Sequence, residues 1–257
     1  MRSINGELAK YEIKRSMSFD VGHVGVLGNL GGGSAWDWED DFSTDKGWDD
    51  SAVGSNFVHD FTTDNSIEYH FERNGGPDTY ILKDLQDADA LNGSNLSDTA
   101  WVWRFKMTDS AFDSGSGYTP SGFMLMTSTG TPSYGGSHDF IAMKKEFPST
   151  NPRWVHMNGN GIDLHSPTNS NVLTTAPTGA DDYHHEVIRT SSTSVTWSLF
   201  PDNTFETADE SDVLTCNSAT INLRYGGLFQ RASTNRDSYF EGDFDDMQIA
   251  DGVTTAP

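Results

Sequence analysis

Three carboxylates stand two residues apart in the run Glu241-Gly242-Asp243-Phe244-Asp245. On a β-strand, alternate side chains point to the same face, so this trio would line one surface. That disposition suits glycoside hydrolysis, in which one carboxyl is the general acid and a second the nucleophile or base. The other acidic run, Glu206-Thr207-Ala208-Asp209-Glu210, does not alternate and reads as an exposed loop. Other chemistries find less support. His184 and His185 are neighbours, so on a strand they face opposite ways and do not chelate as a pair. The sequence has no HExxH or comparable zinc spacing. Its many serines lack a nucleophile-elbow motif. Gly31-Gly32-Gly33 is followed by neither a lysine nor a helical pattern, so it is not a phosphate loop. The single cysteine, Cys216, excludes an intrachain disulfide and reads as a buried structural thiol.

The elements that must position such residues are strands. Residues 98–107 (DTAWVWRFKM) send Trp101, Trp103, Phe105 and Met107 one way and Val102, Arg104 and Lys106 the other. This is the period of a strand with one face on a core. Residues 123–127, 140–145, 154–157, 184–190, 195–200, 223–229 and 239–249 read as further strands. Turn signals separate them: Asn74-Gly75-Gly76, Gly135-Gly136, Asn158-Gly159 and the polar stretch 191–194. The run from Asn158 to Asp163 looks like a fragment of a calcium loop but reads as a tight turn. Helical periodicity is almost absent, so the expectation is an antiparallel sandwich or jelly roll. In that register Ile141, Met143, Val155 and Met157 point inward. Arg104, Lys144, Trp154 and His156 then point outward and, on a shared concave sheet, converge. An exposed indole beside hydrogen-bonding cations is a platform for a pyranose, and Arg104 would favour an anionic glycan.

Composition narrows the partners. The chain has 257 residues with 38 acidic against 16 basic side chains, a net charge of −22. Most of the acid is Asp, which suits turns and hard cations better than helix faces. Such a surface repels phosphate backbones and anionic lipid, so nucleic-acid binding and membrane insertion are not expected. There is no apolar run of membrane-spanning length, nor one of signal-peptide length in the first residues. Seven Trp and fifteen Phe suffice to fill a core between two sheets. Residues 1–35 read as an N-terminal arm ending in a Gly-rich linker, and 36–257 as the sandwich. The arm carries Arg2, Lys10, Lys14 and Arg15 against Glu7, Glu12 and Asp20. It is near neutral while the sandwich is strongly acidic. Its apolar residues can therefore bury against a neighbouring subunit without repulsion, and the arm is expected to be an attachment element.

Three stretches carry a family resemblance: WEDDFSTDKGW (38–48), SDTAWVWRFKM (97–107) and YFEGDFDDMQIADG (239–252). The last is similar to the closing strand of laminin G-like domains, with its glycine followed by an apolar-Asp-Asp-apolar run. The hairpin 184–202 resembles one found in such domains of marine archaeal and phage surface proteins. The resemblance, to the concanavalin A-like lectin/glucanase sandwiches, spans roughly residues 36–252. It implies an all-β, two-sheet antiparallel jelly roll with one concave sheet. The glycoside hydrolases of this fold place their acids on a central strand in a Glu-x-Asp-x-x-Glu pattern. Glu241, Asp243 and Asp245 depart from it in the third position and fall in the closing strand. The reading is therefore a non-catalytic module that binds glycans or a host surface, on a virion or other extracellular assembly, with a glycoside hydrolase as the alternative. The resemblance also sets Asp40-Asp41 beside Asp245-Asp246, because first and last strands commonly adjoin in these sandwiches. Some members hold a structural Ca²⁺ near that junction, for which Asp41 and Asp245 are the preferred ligands. The other way to accommodate these acids is by hydrogen bonds from loop amides.

Overall fold

The computed structural model describes residues 36–52, 57–60, 65–72, 79–113, 117–127, 138–147, 153–162, 169–173, 182–216, 222–230 and 239–257. The expected arm, residues 1–35, lies outside them, as do the Asn74-Gly75-Gly76 and Gly135-Gly136 turns. The chain divides into two units, 1–35 and 36–257, and the second is the sandwich.

Fifteen strands build it among the described residues. Sheet I contains β1 (Trp38–Asp40), β3 (Phe57–Asp60), β4 (Ser66–Glu72), β6 (Trp101–Asp113), β11 (Asp182–Ser191), β12 (Ser194–Phe200), β13 (Glu210–Thr215) and β15 (Tyr239–Asp251). Their order is β13-β12-β11-β6-β15-β4-β3, with β1 beside β15 where β4 ends. Sheet II contains β2 (Trp48–Ala52), β5 (Thr79–Asp84), β7 (Gly117–Thr127), β8 (His138–Phe147), β9 (Arg153–Ile162), β10 (Asn169–Val172) and β14 (Leu223–Gln230). Their order is β10-β9-β8-β7-β14-β5-β2. Every pairing among the described strands is antiparallel. The fold is a two-sheet antiparallel jelly roll, as the strand pattern implied.

The core lies between the sheets and is strongly aromatic. Trp101, Trp103, Phe105 and Met107 of β6 are all fully buried there, in the register read from their alternation. Phe105 packs against Phe123 of β7 at 3.9 Å and Phe244 of β15 at 5.4 Å between ring centroids. Trp197 of β12 closes the cluster, 5.3 Å from Phe123. Rings of this size supply large buried apolar area to a flat core. The β11–β12 hairpin turns through two residues between Ser191 and Ser194, where the polar stretch placed it. The Asn158-Gly159 turn is a correction. Both residues lie inside β9, and Asn158 is fully buried opposite Ile141. A strand buried on both faces accepts a small polar pair that would mark a turn at a wet surface.

β15 sits in the middle of sheet I, flanked by β6 on one side and by β4 and β1 on the other. The objection that the acidic trio lies off the central strand is thereby removed. Between Asp245 and Gln248 the register with β6 shifts, and Asp246 takes a left-handed φ of 53°. Asp tolerates that conformation better than most residues, and a bulge there bends the strand and redirects its side chains.

Candidate functional site

The outer face of sheet I carries polar rows that run across its strands. On β6, Arg104, Lys106 and Thr108 point outward, opposite Glu186, His184 and Asp182 on β11. On β15 the partners are Gln248, Asp245 and Asp243. Opposite charges face each other across the ladder, an arrangement that stabilises neighbouring strands. Arg104 donates from Nε to Glu186 Oε2 at 2.7 Å. Lys106 lies 3.6 Å from Asp182 and 3.5 Å from Asp245. Gln248 donates to Glu39 of β1 at 3.3 Å.

Above these rows opens a cleft of about 280 Å³. One wall is Glu39, Asp40 and Asp41; the other is Asn203 and Phe205 from the β12–β13 loop. Its floor reaches β6 at Phe105, with His184, Asp246, Met247 and Gln248 around it. The β15 residues in the lining, Asp246, Met247 and Gln248, are those at the register shift. Phe205 has a φ of 54°, which is uncommon for an aromatic residue and needs its surroundings to hold it. Its ring centroid lies 3.8 Å from the Arg104 guanidinium carbon, and it meets Phe200 edge-on at 5.1 Å and His184 at 5.9 Å. The ring is only partly buried. Burial and the Lys106 charge lower the His184 pKa, so its imidazole is neutral near pH 7.

Burial raises the Asp245 pKa to about 7, with Asp246 and Asp243 adding to the effect and Lys106 opposing it. Its Oδ1 is buried without a hydrogen-bond partner. Glu241, Asp243 and Asp245 do share the outer face, as their spacing predicts. Each is engaged: Glu241 lies 2.5 Å from His70, Asp243 accepts from the Ser66 hydroxyl at 2.9 Å, and Asp245 faces Lys106. None of the three lines the cleft.

The structure does not bring the predicted sugar quartet together. Arg104 is on the outer face of sheet I, paired with Glu186 and roofed by Phe205. Lys144 is on the outer face of sheet II, opposite Val155. Trp154 and His156 point between the sheets and are fully buried. Trp154 packs edge-on to Tyr183 at 5.8 Å and to His185 at 5.3 Å. His156 Nε2 lies 3.0 Å from Asp212 Oδ2 of β13, across the core. The cause is the phase of β9. Trp154 stands opposite Lys145 and His156 opposite Met143, so both follow those inward residues. Val155 and Met157 turn to the outer face, where Met157 joins a second buried apolar cluster with Leu82, Met124, Met126, Phe140 and Phe229.

At the expected cation junction, β1 does lie beside β15. Asp40 accepts from the Phe42 amide and the Trp48 indole, both at 2.8 Å. Asp41 accepts from the Ser43 amide and hydroxyl, and these bonds lower its pKa. Asp41 and Asp245 thus each have protein partners of their own. Among the described residues no group of three or more His, Cys, Asp or Glu side chains is placed to hold a metal ion.

No family model and no curated protein matches the chain. Solved structures of the same fold do. A legume lectin-like domain from Entamoeba histolytica superposes with a TM-score of 0.52 at 9% identity, covering 79% of this chain and 89% of that one. A conserved carbohydrate esterase from the Shiga toxin-encoding bacteriophage phi24B gives 0.52 at 12% identity, covering 84% and 99%. A carbohydrate-binding module of the evolved Dit protein of Lactobacillus casei BL23 phage J-1 gives 0.47 at 11%, covering 84% and 96%.

Proposed function

We propose that this concanavalin A-like sandwich is a non-catalytic module that binds a glycan in the cleft above sheet I. The observation that carries the reading is the cleft's lining. One half-buried aromatic ring, Phe205, stands beside carboxylate, amide and imidazole groups, the pairing that a pyranose with one apolar face and several hydroxyls requires. The ligand is a neutral or amine-bearing sugar. Glu39, Asp41 and Asp246 line the cleft, and Arg104, the cation nearest the ring, is already satisfied by Glu186. A fold shared with a lectin-like domain and with a bacteriophage carbohydrate esterase is compatible with this role. Display at a virion or other extracellular surface, with residues 1–35 docking on a neighbouring subunit, completes the proposal.

Titration calorimetry with a panel of neutral and amino oligosaccharides tests it. Binding by the wild-type chain and loss of at least tenfold in Phe205→Ala are expected. No binding to any neutral or amino sugar, or binding unchanged in Phe205→Ala, would sink the proposal. The raised Asp245 pKa is the one observation that favours a hydrolase, because a carboxyl held protonated near neutrality can act as a general acid. Release of reducing ends from β-glucans or galactans, abolished by Asp245→Asn, would replace the binding reading with that one.

A further inference from the structure

The middle of the inter-sheet core holds an acid and an amine where alternation calls for apolar side chains. Asp109 of β6 is in phase with Phe105 and Met107, and Lys145 of β8 is in phase with Ile141 and Met143. Both side chains are completely buried. Lys145 Nζ contacts Asp109 Oδ1 directly. The same nitrogen donates to Tyr69 Oη at 2.9 Å, and that hydroxyl donates to Asp109 Oδ1 at 2.6 Å. Aromatic rings enclose the amine, with centroids at 4.6 Å (Trp154), 4.8 Å (Tyr69) and 5.1 Å (Phe240).

A glycine makes this meeting possible. Gly242 of β15 pairs with Tyr69 on one side and Asp109 on the other, so the phenol must cross it to reach the carboxyl. A Cβ at Gly242 would stand 2.7 Å from Tyr69 Oη and 1.8 Å from the Thr108 carbonyl oxygen. Only a residue without a side chain fits.

As an ion pair the arrangement is poorly satisfied. Asp109 Oδ2 is buried with no hydrogen-bond partner, a costly condition for a carboxylate. Moving one proton from ammonium to carboxylate gives a neutral amine and a neutral acid, which a dry site favours. Burial lowers the Lys145 pKa in that direction. An uncharged amine held against a carboxylic acid, away from water, is a reactant pair already oriented for condensation.

We propose that Lys145 and Asp109 condense to an intramolecular isopeptide bond that staples sheet I to sheet II. The Nζ lone pair attacks Asp109 Cγ and forms the C–N bond. Tyr69, in contact with both groups, accepts a proton from the nitrogen while passing its own to the carboxyl oxygen that departs. The C–O bond breaks and one water leaves. Amine plus acid gives amide plus water, with no oxidant, reductant or cofactor. The oxygen that departs is Oδ1, the one Tyr69 touches, and Oδ2 remains as the amide carbonyl oxygen.

Mass spectrometry of the intact, denatured full chain tests this. The wild-type protein is expected to be lighter than its sequence by one water. Its tryptic map is expected to contain a branched peptide joining the Asp109 and Lys145 segments, with no cleavage after Lys145. Lys145→Arg restores the full mass. Tyr69→Phe leaves a substantial uncoupled fraction. A wild-type mass equal to that of the sequence overturns the proposal outright. So does a missing water that persists in Lys145→Arg or maps elsewhere, and full coupling in Tyr69→Phe removes the relay.

Discussion

The outer faces of the two sheets are built on opposite terms. Sheet I turns charge outward: Arg104 against Glu186, and Lys106 between Asp182 and Asp245. Sheet II turns Met124, Met126, Phe140 and Met157 outward, and all four are buried. One face can be rewritten with polar groups at little cost, and the other behaves as a second core. The difference matters for reading function. The open cleft lies on the charged sheet.

Paired substitutions offer the sharpest way to break that contrast. Met157→Asp places an unpaired charge in the buried outer cluster of sheet II and should destabilise by about 3–5 kcal/mol. Val213 is an exposed apolar residue on the outer face of sheet I, 54% accessible. Val213→Asp should change stability by less than about 0.5 kcal/mol. Urea unfolding of both variants measures the two effects, and equal losses would erase the distinction.

Titration separates the interior from the sheet I surface at a smaller scale. His156 and His185 have pKa values held down chiefly by burial, from an ordinary 6.5. Above that value they are neutral whether folded or not. As pH falls through it, the unfolded chain takes up protons that the folded chain refuses, and stability is lost. Asp245 runs the other way. Its folded pKa of about 7 exceeds the ordinary 3.8, so its contribution grows as pH falls from above 7 towards 4. Asp245→Asn should therefore raise Tm by a few degrees at about pH 8 and by much less at about pH 5. An equal gain at both values would show that Asp245 is ionised throughout.

The smallest effect expected is that of calcium. With Asp40, Asp41 and Asp245 each held by protein groups, Tm should be the same in millimolar Ca²⁺ and in excess chelator. A rise with Ca²⁺ would mean that a cation bound by the native state organises the β1–β15 junction after all.

Legibility followed solvent. Eight of the fifteen described strands, four in each sheet, are readable in the sequence, and β6 is readable to the residue because sheet I has one wet face and one dry one. In β9 the sequence Trp-Val-His-Met offers no such contrast. Both faces are buried, so the apolar Val155 and Met157 drew the inward assignment that belongs to Trp154 and His156. The burial of Lys145 leaves no mark in the sequence either: a lysine reads as solvated unless its partners are visible, and Asp109 and Tyr69 are distant in sequence. Of the cleft's lining, Asp40, Asp41 and Asp246 belong to the acidic junction that the sequence singles out, there as a cation site and not as a sugar site. Phe205 was not singled out, although an aromatic ring in the polar loop Asp202-Asn203-Thr204-Phe205 was a signal that could have been followed.

The central place of β15 also sets the order in which the molecule can assemble. Ser66 and Asp243, joined by a hydrogen bond in sheet I, are 177 residues apart. During synthesis β4 and β6 emerge early, yet β15, which belongs between them, is made after every other described strand. Until then each presents an unpaired edge on which another chain can template. Such late, long-range closure predicts slow folding from a nascent chain that needs protection, and a sandwich that forms in one cooperative step once its closing strand slots in.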